Sequence, residues 1–183
     1  NTMINLVSDV TLNDTTNFDN WDEQPPANNW TAIGAVPIEA PNVNVVMTIQ
    51  PECRNTVFAG MFNGNGHTIS GMYSLHHNYA GLFARTSGII TNVIVKDSYI
   101  QCINTQKVES GDTALWEACA GGITAICDRG VISHCEFDGK IFASGLNQVG
   151  YGTHGSFAGG IVGKFSDDEN GVAAIVMMFA LVP

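Results

Sequence analysis

The sequence is poor in charge, and poorest in positive charge. Charged residues make up 13% of the 183 residues, with seven Lys and Arg against 17 Asp and Glu and a formal net charge of −10. A protein that binds the phosphate backbone of nucleic acid needs a basic face to neutralise it. Because the chain has too few basic residues to build one, we predict that it has no nucleic-acid partner.

Long apolar segments are also missing. The longest apolar run, Val172 to Val182, has 11 residues, far fewer than the ~20 that a membrane-spanning helix needs. The opening NTMINLVSDV has neither the basic start nor the apolar stretch of a signal peptide. We therefore predict no membrane insertion by this chain. Together with the repeat described below, this favours a mature section of a secreted or cell-surface protein over a cytoplasmic one.

No two of the five cysteines have the CxxC spacing of a zinc or redox site. Their odd number argues against a complete disulfide framework. Two interpretations stay open for them. The thiols are buried as small apolar groups, or one disulfide joins either Cys102 to Cys119 or Cys127 to Cys135.

What the chain does contain is an internal repeat. Three segments begin with Ala-Gly at Ala80, Ala120 and Ala158, so the repeat recurs after 40 and then 38 residues. Each segment continues through small or apolar residues and crosses a polar turn that ends in a glycine, which is Gly88, Gly130 or Gly171. Repeats of roughly this length occur in propeller blades and in solenoids.

Apolar residues alternate with other residues inside each unit. The matching positions are Ile90, Val93 and Val95 in the first unit, Ile132, Cys135 and Phe137 in the second, and Ala173, Val176 and Met178 in the third. Such alternation over short runs bounded by Gly, Asn and Asp predicts β-strands rather than helices. Short strands with irregular inserts favour an all-β fold of the parallel β-helix type over four-stranded blades.

The alternation also predicts which side chains face the core. The predicted inward set is Phe58, Phe62, Ile69, Leu82, Phe83, Ile90, Val93, Val95, Ile123, Ile132, Phe137, Ile161 and Val162. The stretch FAGMFNGNGHTISGM adds a corner at residues 63–66, because Asn and Gly reach positive φ at low cost. His67 follows this corner, and no Ser or Cys nucleophile and no carboxylate lies at a spacing that would make it a general base. We predict that it makes hydrogen bonds between turns rather than acting as a base.

These motifs resemble the GLUG-type repeat of bacterial cell-surface and adhesin-like proteins. The residues concerned are FAGMFNGNGHTISGM from Phe58 to Met72, AGLF from Ala80 to Phe83 and GIITNVIV from Gly88 to Val95. The sequence departs from the usual motif at Asn63, where Asp is common, and at Ala84, where Gly is common. The resemblance implies a secreted or surface-displayed, right-handed parallel β-helix with long loop inserts, and it implies no catalytic residues.

The resemblance extends over essentially the whole chain. It predicts a single domain over residues 1–183 that is one section of a longer protein. It also predicts that residues 1–57 form a lead-in and capping segment and that residues 58–183 form the repeats.

The inserts of the second and third units are the predicted binding loops, because loops of a solenoid often form its binding face. Trp116 and Tyr151 are the candidate residues for contact with a glycan or a surface protein, and the alternative for Trp116 is that it packs over the coil and covers the core. We predict no metal and no cofactor. His76 and His77 point to opposite sides of an extended chain, and the carboxylates of residues 167–169 lack the spacing of calcium-binding repeats.

For the function, the sequence favours a non-enzymatic scaffold or adhesin-like module. The alternative is a β-helix enzyme that cleaves glycans as a hydrolase or a lyase. A hydrolase needs two carboxylates that converge on the scissile bond. The acidic residues here are scattered over different loops of the sequence, so we predict no catalytic residues.

Overall fold

The computed structural model of the chain describes residues 2–35, 57–104, 117–145 and 155–166. Within these ranges the protein consists of fifteen β-strands and one 3-10 turn, and contains no α-helix. The prediction of an all-β protein is confirmed. No helix in the described part of the chain is both long and apolar enough to cross a membrane.

The strands are short, except for two of ten residues or more. They are β1 (Met3–Asn5), β2 (Val10–Thr11), β3 (Met61–Asn63), β4 (Thr68–Ser70), β5 (Tyr73–His76), β6 (Tyr79–Ala80), β7 (Phe83–Thr86), β8 (Ile89–Thr91), β9 (Ile94–Asn104), β10 (Ala118–Gly121), β11 (Thr124–Cys127), β12 (Val131–Ser133), β13 (Glu136–Gly145), β14 (Ser156–Gly159) and β15 (Val162–Phe165). The 3-10 turn spans Phe18–Asn20.

Every pair of neighbouring strands is parallel, and the strands form four sheets. The first sheet has the order β1-β3-β8-β12, and the second has the order β13-β9-β4-β2 with β5 also paired to β9. The third sheet is β14-β10-β6 and the fourth is β15-β11-β7. From β6 onward, the chain contributes strands to the third, fourth, first and second sheets in that repeating order. Each later visit adds a strand beside the one before it.

The register of the strands reproduces the sequence repeat. In the third sheet, Ala120 lies opposite Ala80 on one side and Ala158 on the other, so the three Ala-Gly positions align. In the first and second sheets, Ile132 lies opposite Ile90 and Phe137 opposite Val95. The predicted alignment is confirmed at these positions. The alternating run of the third unit, from residue 173 to 178, lies outside the described residues.

The predicted corner after β3 is confirmed by its backbone angles. Asn65 and Gly66 have φ of 52° and 78°, the left-handed region that Asn and Gly tolerate best. The amide of Asn65 donates to the side-chain oxygen of Asn63 at 3.0 Å. The later strands of the same sheet, β8 and β12, are also followed by residues with positive φ, Asn92 and His134. A left-handed residue therefore recurs after each of the strands β3, β8 and β12.

The four sheets enclose one main apolar cluster. Its buried members include eleven residues of the predicted inward set, namely Phe62, Ile69, Leu82, Phe83, Ile90, Val93, Val95, Ile123, Ile132, Ile161 and Val162. Phe58 and Phe137 pack against the cluster but are only partly buried. The predicted assignment of faces is confirmed for the buried members. Alternation predicts it well because successive side chains of a strand point to opposite faces.

Candidate functional site

The segment between β2 and Ile33 leaves the sheets and folds over the second one. We call residues 12–30 the excursion. Asn13 lies near the start of the excursion and Asn28 near its end, and we call these two ends its limbs. The side-chain amide of Asn13 donates to the carbonyl of Asn28 and to that of Gly71, which follows β4, each at 2.9 Å. The side-chain oxygen of Asn13 accepts from the amide of Asn28 at 3.2 Å. Asn13 is buried. Its hydrogen bonds therefore hold the two limbs together and join them to the end of β4.

Aromatic rings fix the excursion to the outer face of the sheet. Trp21 lies edge-on to Tyr73 at 6.1 Å between ring centroids, and Tyr73 stacks on Tyr99 at 5.6 Å. Phe18 and Phe142 extend the row at its two ends, each 5.4 Å from its neighbour. Trp21, Tyr73 and Tyr99 are buried, and burial raises the pKa of both tyrosines. The row therefore acts as an anchor for the excursion.

A cation completes the attachment of the excursion. The ammonium group of Lys140 on β13 donates to the carbonyl oxygen of Asp19 at 2.6 Å and lies 5.3 Å from the centroid of the Phe18 ring. The charge of Lys140 therefore stabilises the position of the 3-10 turn, Phe18–Asn20, against β13.

The two ends of the excursion border an open cleft of about 760 Å³. It is lined by Thr11, Leu12, Asn13, Asp14, Thr16, Asn17, Trp21, Gln24, Pro25, Pro26, Ala27 and Asn28. These residues supply amides, hydroxyls, one carboxylate and apolar groups, and none of them is Lys, Arg or His. The volume falls in the range of roughly 300–1,000 Å³ that is typical of small-ligand sites. We take this cleft as the candidate functional site.

The polar groups of the cleft are ordered by bonds to one another. The carboxylate of Asp14 accepts from the amide of Thr16 at 3.0 Å, and this bond lowers the pKa of Asp14. The side-chain amide of Asn17 donates to Gln24 at 3.2 Å and its oxygen accepts from Asn20 at 2.7 Å. The cleft therefore presents an ionised carboxylate and positioned amides.

A second polar surface lies on the outer side of the third and fourth sheets. The ammonium group of Lys164 contacts both carboxylate oxygens of Glu117, at 2.5 and 2.7 Å, and lies 5.0 Å from the centroid of the Phe157 ring. Arg85 is similarly paired with Asp128. Each of these carboxylates is held by a cation. They are structural pairs rather than a free acid and base aimed at a common point.

His67 has the role that the sequence predicts, but with a partner that sequence reasoning missed. Its Nδ1 lies 3.2 Å from a carboxylate oxygen of Asp9, and the same oxygen accepts from the amide of Thr68 at 2.9 Å. His67 thus makes a bond between successive turns. No carboxylate is near it in sequence, but the fold brings one from 58 residues away.

The Asp9 carboxyl should titrate below its ordinary pKa of 3.8, because the Thr68 amide and then His67 stabilise its ionised form. Since the folded-state pKa is the lower one, this contact stabilises the fold at neutral pH and is lost as the pH falls through that pKa. We expect an NMR titration of the Asp9 side chain to give a midpoint below 3.8. A midpoint at or above that value would contradict the contact.

The four cysteines of the described ranges, Cys102, Cys119, Cys127 and Cys135, are all free and buried. The disulfide alternatives are therefore wrong, and the buried-thiol interpretation holds for these four residues, while Cys53 lies outside the described residues. Cys102 belongs to the main cluster, whereas Cys119 belongs to a separate small cluster with Ala125 and Ile126. The thiol of Cys127 lies 3.6 Å from the carbonyl of Gly130, and that of Cys135 lies 3.3 Å from the carbonyl of Ser133.

These thiols should resist alkylation in the folded protein. Burial raises the pKa of Cys102 and of Cys119 to about 12, so the reactive thiolate is scarce at pH 8. We expect peptide mass spectrometry after iodoacetamide treatment to find both residues unmodified in native protein and modified in urea. Equal labelling in the two conditions would show that they are not buried.

The remaining predicted residues divide into two groups. Trp116 and Tyr151, the predicted ligand contacts, lie outside the described residues. His76 and His77 engage different partners, since Nδ1 of His76 accepts from the amides at 78 and 79 while that of His77 lies 3.1 Å from the carbonyl of Ile103. In the described part of the chain, no three His, Cys, Asp or Glu residues are grouped as a metal site.

Sequence reasoning missed the cleft as a site. A signal for it exists in NWDEQPPANNW from Asn20 to Trp30, which combines tryptophans, amides and a Pro-Pro pair before the repeat begins. That composition is typical of an ordered loop with polar groups to present.

Comparisons of the chain with protein-family models, with curated proteins and with solved structures found no match. The GLUG resemblance of the repeat stays a prediction that rests on its motif.

Proposed function

We propose that the chain is a section of a right-handed parallel β-helix that serves as a non-enzymatic scaffold of a secreted or cell-surface, adhesin-like protein of the GLUG type. In this role the stacked coils form a stiff body, and excursions from the coils bind a glycan or a protein. The proposal has an architectural part, a cellular part and a chemical part.

One observation carries the architectural part. Strands from successive visits of the chain pair in parallel and in register in all four sheets, for example Met61 opposite Met3 and Ile89 opposite Met61. A chain that winds as a solenoid produces this order, since each coil contacts only its neighbours. The right-handed sense follows from the strong preference of parallel crossover connections for that hand.

The sequence motif supports the cellular part. GLUG-type repeats are found in bacterial surface proteins, and FAGMFNGNGHTISGM is close to the usual form of the motif. The low content of basic residues and the formal charge of −10 suit a protein that works outside the cell without a nucleic-acid partner.

The chemical part rests on how the carboxylates and nucleophiles are used. Glu117 and Asp128 are paired with Lys164 and Arg85, and the described thiols are buried with raised pKa values. His67 is bound to Asp9 at the surface. A glycan-cleaving site needs two carboxylates free to act as acid and as base or nucleophile. Glu117, Asp128 and Asp9 are each bonded to a partner side chain, and this supports a scaffold rather than such a site.

The test is a polysaccharide-degradation screen run beside a glycan-binding screen on the same purified protein. The scaffold proposal predicts no new reducing ends and no unsaturated products on any polysaccharide. Degradation that is abolished by Glu117→Gln or Asp128→Asn, but kept by a matched change at the exposed Asp138→Asn, would replace the scaffold with the glycan-cleaving alternative.

A further inference from the structure

We propose that the cleft of the excursion binds a neutral carbohydrate. This inference rests on the proposed function, because it assigns a ligand class to one of the loops through which the scaffold would act. It is carried by the composition of the cleft, by the order of its polar groups and by its rigid attachment.

The charge of the cleft selects against anionic ligands. Asp14 contributes a carboxylate whose pKa is lowered by the Thr16 amide, and none of the lining residues is a cation. The lysine that touches the excursion, Lys140, is bonded to the carbonyl of Asp19, which is not a lining residue. An anionic sugar would meet a like charge with no compensating partner. Uronates, sialylated glycans and phosphates are therefore disfavoured.

The polar lining matches the hydroxyl groups of a sugar. Each sugar hydroxyl both donates and accepts, as the side-chain amides of Asn17 and Gln24 and the hydroxyl of Thr16 do together, while the carboxylate of Asp14 accepts only. Asp14 accepts from the amide of Thr16 and is also bonded by the Thr16 side chain, and its carboxylate keeps further acceptor capacity. Bonds from neutral hydroxyls to this ionised group are the strongest that the cleft offers.

Apolar groups lie beside these polar ones. Leu12, Pro25 and Pro26 line the cleft and suit the C–H surface of a sugar ring. Trp21 also lines the cleft but is 2% exposed, so it forms part of the wall and is not a stacking platform. Apart from Thr11 on β2, every residue of the lining comes from the excursion.

The cleft is also held in its shape before any ligand arrives. Asn13 clamps both limbs with three hydrogen bonds, and Trp21 is fixed against Tyr73. A site that is already ordered loses less conformational entropy on binding. Asn13 is thus a positioning residue, whose own side chain is already bonded.

The experiment compares two matched pairs of variants. Gln24→Ala and Asp14→Ala remove cleft groups, whereas Gln101→Ala and Asp138→Ala remove the same groups on β9 and β13, outside the lining. A glycan array printed with neutral, uronate-containing and sialylated oligosaccharides is probed first. The strongest neutral oligosaccharide is then titrated into each protein by NMR, after circular dichroism has shown that the folds are the same.

We expect neutral glycans alone to bind, with amide shifts confined to residues 11–28. Asp14→Ala should weaken binding about tenfold or more and Gln24→Ala about threefold to tenfold, with both controls unchanged. Binding that survives both cleft changes would overturn the site, and binding of anionic glycans alone would overturn the ligand class. If no glycan on the array binds, this inference is overturned. The scaffold proposal is not, because the degradation screen tests it separately.

Discussion

Phe83→Ala is expected to lower the free energy of unfolding by about 3–5 kcal/mol, as other large-to-small changes in cores do. Phe83 is fully buried, and its ring lies 4.9 Å from that of Phe58 and 5.3 Å from that of Phe62. It sits on β7, which pairs with β11. Truncation would leave a cavity where the first and fourth sheets meet, and rigid strands on both sides cannot collapse to fill it.

Phe165→Ala is the matched control for this change. Phe165 ends β15 in the same sheet and is 40% exposed, so its truncation should cost about 1 kcal/mol or less. Urea unfolding followed by circular dichroism measures both variants against the parent. Equal midpoints for Phe83→Ala and Phe165→Ala would show that the inward and outward faces are wrongly assigned.

Gly121→Ala should also be strongly destabilising, by about 3 kcal/mol, the upper end of typical overpacking costs. A Cβ at this position would overlap the carbonyl oxygen of Thr124 and lie 2.6 Å from the amide nitrogen of Gly163. Both obstacles are backbone atoms of packed strands, so relief requires the strands to move apart. Gly121 is the glycine of the Ala-Gly pair of its repeat unit. The backbone atoms around it leave no room for a side chain.

Gly160→Ala is the control for the glycine prediction. Gly160 comes directly after Gly159, the counterpart of Gly121 in the next repeat unit, and an added Cβ there would have no atom within 4 Å. We expect it to unfold at or slightly above the parent midpoint, because alanine reduces the freedom of the unfolded chain. If both glycine changes had the same small effect, close packing of the bend would be refuted.

Sequence reasoning reached the parts of the fold that local periodicity determines. The matching of Ile90 with Ile132 and of Val95 with Phe137 follows from a repeat that can be read by eye, and both pairs are in register. The corner at residues 63–66 was predictable because few residues other than Gly and Asn reach positive φ cheaply.

The contacts around the candidate site join residues that are far apart in the sequence, and the repeat pattern does not indicate which of them meet. Asp9 reaches His67 across 58 residues, and Lys140 reaches Asp19 across 121. Trp21 meets Tyr73 only because the excursion folds back over the second sheet. The sequence prediction of binding by the repeat inserts concerns Trp116 and Tyr151, which lie outside the described residues, whereas the candidate cleft lies in the lead-in segment.

The central claim is that successive coils stack in parallel and in register, and a pair of introduced cysteines tests it most directly. Thr91 and Ser133 are register partners on β8 and β12, with their hydroxyls 3.0 Å apart. Neighbouring strands lie about 4.8 Å apart, within reach of a disulfide. Thr91→Cys combined with Val131→Cys is the control, since a two-residue offset puts those Cα atoms roughly 8 Å apart.

Peptide mass spectrometry after mild oxidation reads the outcome. If the strands stack in this register, the native protein should give a high yield of the 91–133 disulfide and little of the offset 91–131 disulfide. In urea the two yields should become similar. A native protein that forms both disulfides equally, or the offset one preferentially, would contradict the register and with it the proposed β-helix.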